Sequence, residues 1–320
     1  MAGAMNETVM SESPELSVED VLRDELEHGD IVLGTIGPVL GHLLANHDHS
    51  LFSDEIVTRV RGMVGNLASQ MQQAQAELGE GGDVSSSGDA DGEGLTAALL
   101  TESALVTHCH ALAIEWQVTA RLEGRNALDP VLSPLLQSLI ASDDAPTAAA
   151  AMAALAAQAR FAQRQRRMEL PLGELPADVF HRCLALWSER SGGDVGAAEA
   201  RLRETYDEGA SRLGLLSRLV HGMGAGALAA LSVSHAGAAI FLTALAAASH
   251  QRRDLMVIAT NDRQLARFAL SMRAAGLKPK AIEEQFVYFH PDVALPEGFE
   301  TLRADRALSL LSASKRTSAE

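Results

Sequence analysis

A chain of 320 residues with 47% hydrophobic but only 4% aromatic side chains can bury a large core, made mainly of Ala, Leu and Val. Its formal net charge of −16 is lopsided: residues 1–95 hold 18 acidic and 3 basic residues, and residues 96–320 hold 24 and 23. Such an acidic protein repels a phosphate backbone, so nucleic acid is excluded as the main partner.

Ala and Leu are the strongest helix formers, and the apolar spacing supports helix from one end of the chain to the other. Ser17, followed by Val18, Glu19 and Asp20, reads as an N-cap with acids in the first turn, opening a helix that stops at His28-Gly29. Asp30 caps a second helix, kinked or broken at Gly37-Pro38. Ser53 caps a third, whose inner side is Ile56, Val57, Val60, Val64, Leu67, Met71 and Leu78. Residues 79–94 are a run of Gly, Ser, Asp and Glu that reads as a disordered acidic linker, dividing an N-terminal region 1–78 from a main domain 95–320.

A long helix from Leu95 to Glu123 follows, apolar on more than one side and therefore expected at the centre. Helices are predicted next from Asp129-Pro130, then, beyond a separating Asp143-Asp144-Ala145-Pro146 turn, an Ala-rich helix ending near Met168, and another over 177–189. After the Gly192-Gly193-Asp194 break comes an amphipathic helix carrying Leu202, Tyr206, Leu213, Leu216 and Val220, with Glu199, Arg203, Asp207 and Arg212 outside. Further helices are expected near 224–250, 262–275, 279–289 and 297–313. Residues 255–258 are short and apolar, but a single strand makes no sheet, so they read as helix or connector. The expectation is an all-α bundle or irregular solenoid of about ten to twelve helices.

Residues 129–168 pair a short apolar helix (Val131, Leu135, Leu136, Leu139, Ile140) with an acidic Pro turn and an Ala/Leu helix (Ala151, Leu155, Ala159). This unit resembles a HEAT-type repeat, without a second clear copy at a fixed period. The resemblance implies a protein-binding scaffold.

The most chemical-looking stretch is His42, His47 and His49 with Asp48, which together can supply zinc ligands, although the spacing matches no metal signature. His108 and His110 flank Cys109, but on a helix they point about 200° apart, and Glu115 lies roughly 10 Å further along the axis, so the geometry opposes a chelate. The glycines at 222, 224 and 226 lack the preceding strand and following acid of a dinucleotide fingerprint and read as tight helix packing. Residues 219–251 carry no Asp, Glu, Lys or Arg, yet Ala, Gly and Ser gain little in lipid, so they read as two buried helices joined near Ser234–Gly237.

Against the acidic whole, Arg252, Arg253, Arg263, Arg267 and Arg273, with Lys278 and Lys280, form a basic run. It reads either as a solvated face or as a docking surface for an acidic protein partner, the chain's own first 95 residues included; a homo-oligomer is a separate expectation. Cys109 and Cys183 read as reduced, buried thiols. The acidic N-terminus has no basic or apolar leader, so a cytoplasmic location is expected, and Arg outnumbering Lys 23 to 3 suits a GC-rich bacterial genome. No nucleophile-elbow, phosphate-loop or paired-cysteine motif is present. The expected function is that of a non-catalytic adaptor or scaffold, with a metalloprotein built on His42, His47 and His49 as the alternative.

Overall fold

The computed structural model describes residues 17–45, 53–77, 88–191 and 195–317, with side chains for 17–36, 53–77, 92–191 and 195–314. The chain is 80% helical, and no strand occurs among the described residues. Fourteen α-helices are present there. The first six are α1 (Val18–Ala45), α2 (Asp54–Ala76), α3 (Gly88–Leu99), α4 (Ser103–Asn126), α5 (Pro134–Ile140) and α6 (Ala145–Arg167). Then come α7 (Ala177–Arg190), α8 (Gly196–Thr205), α9 (Arg212–Gly222), α10 (Val233–Ala248) and α11 (Arg253–Ile258). The last three are α12 (Leu265–Ala274), α13 (Pro279–Phe289) and α14 (Ala304–Thr317).

Local chemistry sets many of these boundaries. The side chains of Ser53, Ser133, Asp144 and Ser211 each accept a backbone N–H at a helix start, satisfying a donor the helix itself cannot pair. Pro134 and Pro146 sit in the first turns of α5 and α6, where the missing N–H costs nothing. Residues 255–258 are helical, within α11.

Elsewhere tertiary contacts override the local signals. Residues 18–45 form one helix, running on through His28-Gly29 and Gly37-Pro38. Gly29 is a site of close approach rather than a helix stop: its carbonyl accepts from Gln264 Nε2 at 2.5 Å, and a Cβ there would lie 2.7 Å from Gln264 Oε1. The expected long helix from Leu95 is two helices, bent by 87° across residues 100–102. Thr101 Oγ1 closes α3 by donating to the Ala98 carbonyl (2.7 Å), and Glu102 caps α4. Helix α3 starts at Gly88, inside the stretch expected to be a linker, while residues 79–87 lie outside the described part. The helix expected to span Leu202 to Val220 is divided into α8, a 3-10 turn at Glu208–Ala210, and α9.

Two apolar cores result. One gathers α2, α3, the first half of α4, α7 and α8 around Val60, Val64, Leu67, Leu105, Cys109, Cys183 and Trp187. The other gathers the second half of α4 with α5, α9, α10 and α12–α14, and is filled at its centre by Phe241, Phe268, Phe286 and Phe289, whose neighbouring ring centroids lie 5.0–6.3 Å apart. Both cores draw on residues from either side of the 79–94 segment: Leu22 and Leu26 of α1 enter the second, and Ile36 the first. Helix α4 runs through both, as its multiply apolar surface predicts.

Candidate functional site

At the junction of the cores, helix α4 places Glu115 on the inward stripe that also carries Ala111, Val118 and Leu122. Glu115 is fully buried, and two arginines grip it. Arg212, from the first turn of α9, donates from Nη1 to Oε1 (2.9 Å) and from Nη2 to Oε2 (2.8 Å). Arg253, from the start of α11, donates from Nη1 to Oε2 (2.8 Å) and from Nη2 to Oε1 (2.7 Å). Each carboxylate oxygen thus accepts two charge-assisted bonds in fork geometry.

The guanidiniums are held in turn. Arg212 Nη1 donates to Gln158 Oε1 at 3.0 Å, and its Cζ lies 3.6 Å from the centre of the Phe161 ring. Arg253 Nε donates to Thr243 Oγ1 at 2.9 Å, and Thr243 donates to the Ala239 carbonyl at 2.8 Å. The array therefore locks α4, α6, α9, α10 and α11 together.

Burial alone would raise the Glu115 pKa, but Arg212 and Arg253 override it and hold the carboxyl well below the ordinary range. Two positive charges against one negative leave a net charge of about +1 in the array. Close by, burial pushes His108 down to about 4, helped by Arg212 and Arg253 and opposed by Asp254 and Glu115, and His108 Nε2 has no hydrogen-bond partner among the described residues. Burial likewise lowers His110 to about 4 and raises Cys109 and Cys183, the latter to about 12.

An open cleft of about 530 Å³ lies over Arg253, bounded by Ser211, Ser217, Arg218, His221, Thr243 and Gln251, and two carboxylates also line it: Glu174, paired with Arg164, and Glu208, which accepts from the Ala177 N–H. Arg218 is exposed on its rim, and His221 Nδ1 is fixed by donating to the Ser217 carbonyl at 2.7 Å. Gln251 is 8% exposed, with its Oε1 unpartnered among the described residues. The arrangement can present positive charge and hydrogen-bonding groups to a polar or acidic ligand.

The five arginines expected to form one basic face do different things. Arg252 is exposed and pairs with Asp254; Arg263 is exposed in a 3-10 turn at Asp262–Gln264. Arg253 belongs to the Glu115 array. Arg267 is 1% exposed and ion-paired with Asp30, and Arg273 donates to the carbonyls of Leu302 (2.6 Å) and Leu277 (3.0 Å). Asp30 belongs to the acidic first 95 residues, so part of the basic run is engaged by the chain itself. His42 lies on α1 with its side chain outside the described residues, and His47 and His49 lie outside them altogether. Among the described residues no three His, Cys, Asp or Glu side chains converge as a metal site.

The glycines at 222, 224 and 226 are not packing contacts: a Cβ at any of them would meet nothing within 4 Å. They introduce a largely exposed 3-10 segment, Gly224–Leu231, turned 115° from α9. No single described helix is long and apolar enough to cross a membrane.

Arg212 was expected outside and is 2% exposed, and Glu199 is 9% exposed. Glu115, judged only as a metal ligand, was missed as the centre of the array. Its signal in the sequence is a lone carboxylate on an otherwise apolar stripe, which demands a cationic partner. The chain matches no protein-family profile, no curated protein and no solved structure.

Proposed function

We propose that the chain is a non-catalytic helical interaction protein that receives an acidic segment of a protein partner at the cleft over Arg253. The single observation carrying this reading is the Arg212–Glu115–Arg253 array under an open cleft. Its carboxylate is committed to two guanidiniums, so the array positions positive charge and moves no proton. Arg218 at the rim adds a second accessible cation. Rim charges of this kind steer a complementary partner and set its register. The two buried thiols suit a reducing compartment, which supports a cytoplasmic setting.

The test is affinity capture from the native host on the immobilised full chain, compared with an R218E variant. This side chain is exposed, so the fold is retained. A defined acidic protein held by the wild type and released by the variant supports the reading. Identical captured sets, or a captured set lacking any acidic protein, overturn it.

A further inference from the structure

We infer that α1 is the resident occupant of a seat for an acidic amphipathic helix, and that an acidic helix of a partner protein takes the same seat by displacing it. None of the contacts involved belongs to the cleft over Glu115.

Helix α1 is held along one narrow seam. Its inward positions are Val18, Leu22, Leu26, Gly29, Leu33 and Ile36, spaced three and four apart, with Leu22, Leu26, Gly29 and Ile36 buried. The stripe has two positions per heptad, and it rests on α2, α4, α12, α14 and the turn at Asp262–Gln264, with Leu22 and Leu26 in the second core and Ile36 in the first. The outward faces carry Asp24, Glu25 and Glu27, and Ile31 is 68% exposed.

The seat, made chiefly by α4, α12, α14 and the turn at Asp262–Gln264, is complementary to an acidic helix. Arg306 Nε reaches Glu19 Oε2 at 2.7 Å, and Arg267 pairs with Asp30, which Ser314 also reaches. Gln264 reads the backbone at Gly29.

Yet α1 fills the seat incompletely. Arg267 is 1% exposed, and its Nε and Nη1 have no acceptor among the described residues, a costly condition for a buried guanidinium. Beside it an open space of about 500 Å³ separates Leu33, Gly34 and Ile36 of α1 from Leu255, Ile258 and the paired side chains of Arg252 and Asp254. A Cβ at Gly34 would meet nothing within 4 Å. A partner helix with a further acceptor beside Arg267 and a large apolar residue at the place of Gly34 satisfies both, while keeping a small residue at the place of Gly29. Tethering gives α1 a high effective concentration, so it holds the seat until such a helix arrives.

Two measurements test this. In hydrogen exchange on the wild-type chain, amides of residues 20–36 are expected to exchange at least 100-fold faster than those of 105–122, because α1 opens without the cores. Equal protection makes α1 an inseparable part of the fold and overturns the inference. Second, a labelled peptide of residues 17–45 is added to the full chain carrying L22A/L26A, which loosens α1 and leaves the seat intact. Saturable binding, at least tenfold tighter than to wild type and weakened severalfold by R306E, supports the inference. A folded variant that binds no peptide overturns it. So does a variant that dimerises by exchanging α1, since the seat would then belong to a second copy. Arg218, reversed in the capture experiment, lines the cleft and not the seat, and Arg306 touches the seat and not the cleft, so the two proposals fail separately.

Discussion

Replacing Glu115 by Gln keeps the shape of the side chain and removes its charge. Arg212, 2% exposed, and Arg253, with 15% of its side chain exposed, are then left facing each other without a counter-ion. Removing one member of a buried ion pair costs about 3–5 kcal/mol, because the survivor stays desolvated and uncompensated. Here two cations survive, so the expected loss is at the upper end of that range. A domain is stable by only about 5–15 kcal/mol, so E115Q should shift the urea midpoint severely. Urea unfolding followed by far-UV circular dichroism reads the change over the whole chain, and tryptophan emission reads it in the first core, where Trp187 is buried and Trp116 packs half-buried. The control is E115M/R212M/R253M, for which the same physics expects about neutral to 4 kcal/mol of stabilisation, since apolar packing replaces desolvated charge. An E115Q loss below about 1 kcal/mol, a value ordinary for a surface pair, would refute the claim that the array is buried and closed.

Acid should destabilise the protein in two stages. His108 and His110 have folded pKa values near 4 against an ordinary 6.5, so the unfolded chain binds more protons between those values. Their contribution is complete above pH 6.5 and is lost as pH falls towards 4, at up to about 1.4 kcal/mol per pH unit for each. Glu115, depressed in the fold, keeps its contribution above its ordinary value and loses it only in stronger acid. Stability against pH for wild type and H108Q should therefore differ in slope between pH 4 and 6.5, and parallel curves would count against the burial of His108. Gly29→Ala places a methyl 2.7 Å from Gln264 Oε1 and is expected to cost about 1–3 kcal/mol as overpacking, read as a drop in Tm. G34A, which meets open space, should leave Tm unchanged or raise it. Cys109 and Cys183, both buried with raised pKa values, should resist a thiol reagent in the native state and react only at the rate of unfolding.

The helical class was legible because the apolar spacing of α2 and the cap at Ser53 are local features, and local features decide helix existence. What failed was wherever a distant contact reassigned a residue. Gly29 looks like a stop signal until Gln264, more than 200 positions away, uses it as the one place where backbone and side chain can approach. Asp30 looks like an N-cap until Arg267 takes it as a counter-ion. Arg253, Arg267 and Arg273 look like one solvated basic face because the sequence shows their charge and hides their partners. Glu115 was visible as an anomaly, a carboxylate where the stripe calls for Ala or Leu, but its two arginines lie 97 and 138 residues away and no periodicity connects them.

The composition explains why the centre of the molecule is ionic. A core rich in Ala and Leu and poor in aromatics packs through small, similar surfaces, so neighbouring helical registers differ little in apolar area buried. The phenylalanines supply shape to the second core, and Trp187 stands in the first. Between the cores, where α4 passes from one to the other, Glu115 supplies direction instead: four hydrogen bonds of fixed geometry are satisfied in only one arrangement of α4, α9 and α11. Sliding any of these helices by a turn strands a charge in the interior. The same requirement leaves the excess positive charge of the array beneath the cleft, where Arg253 keeps 15% of its side chain exposed.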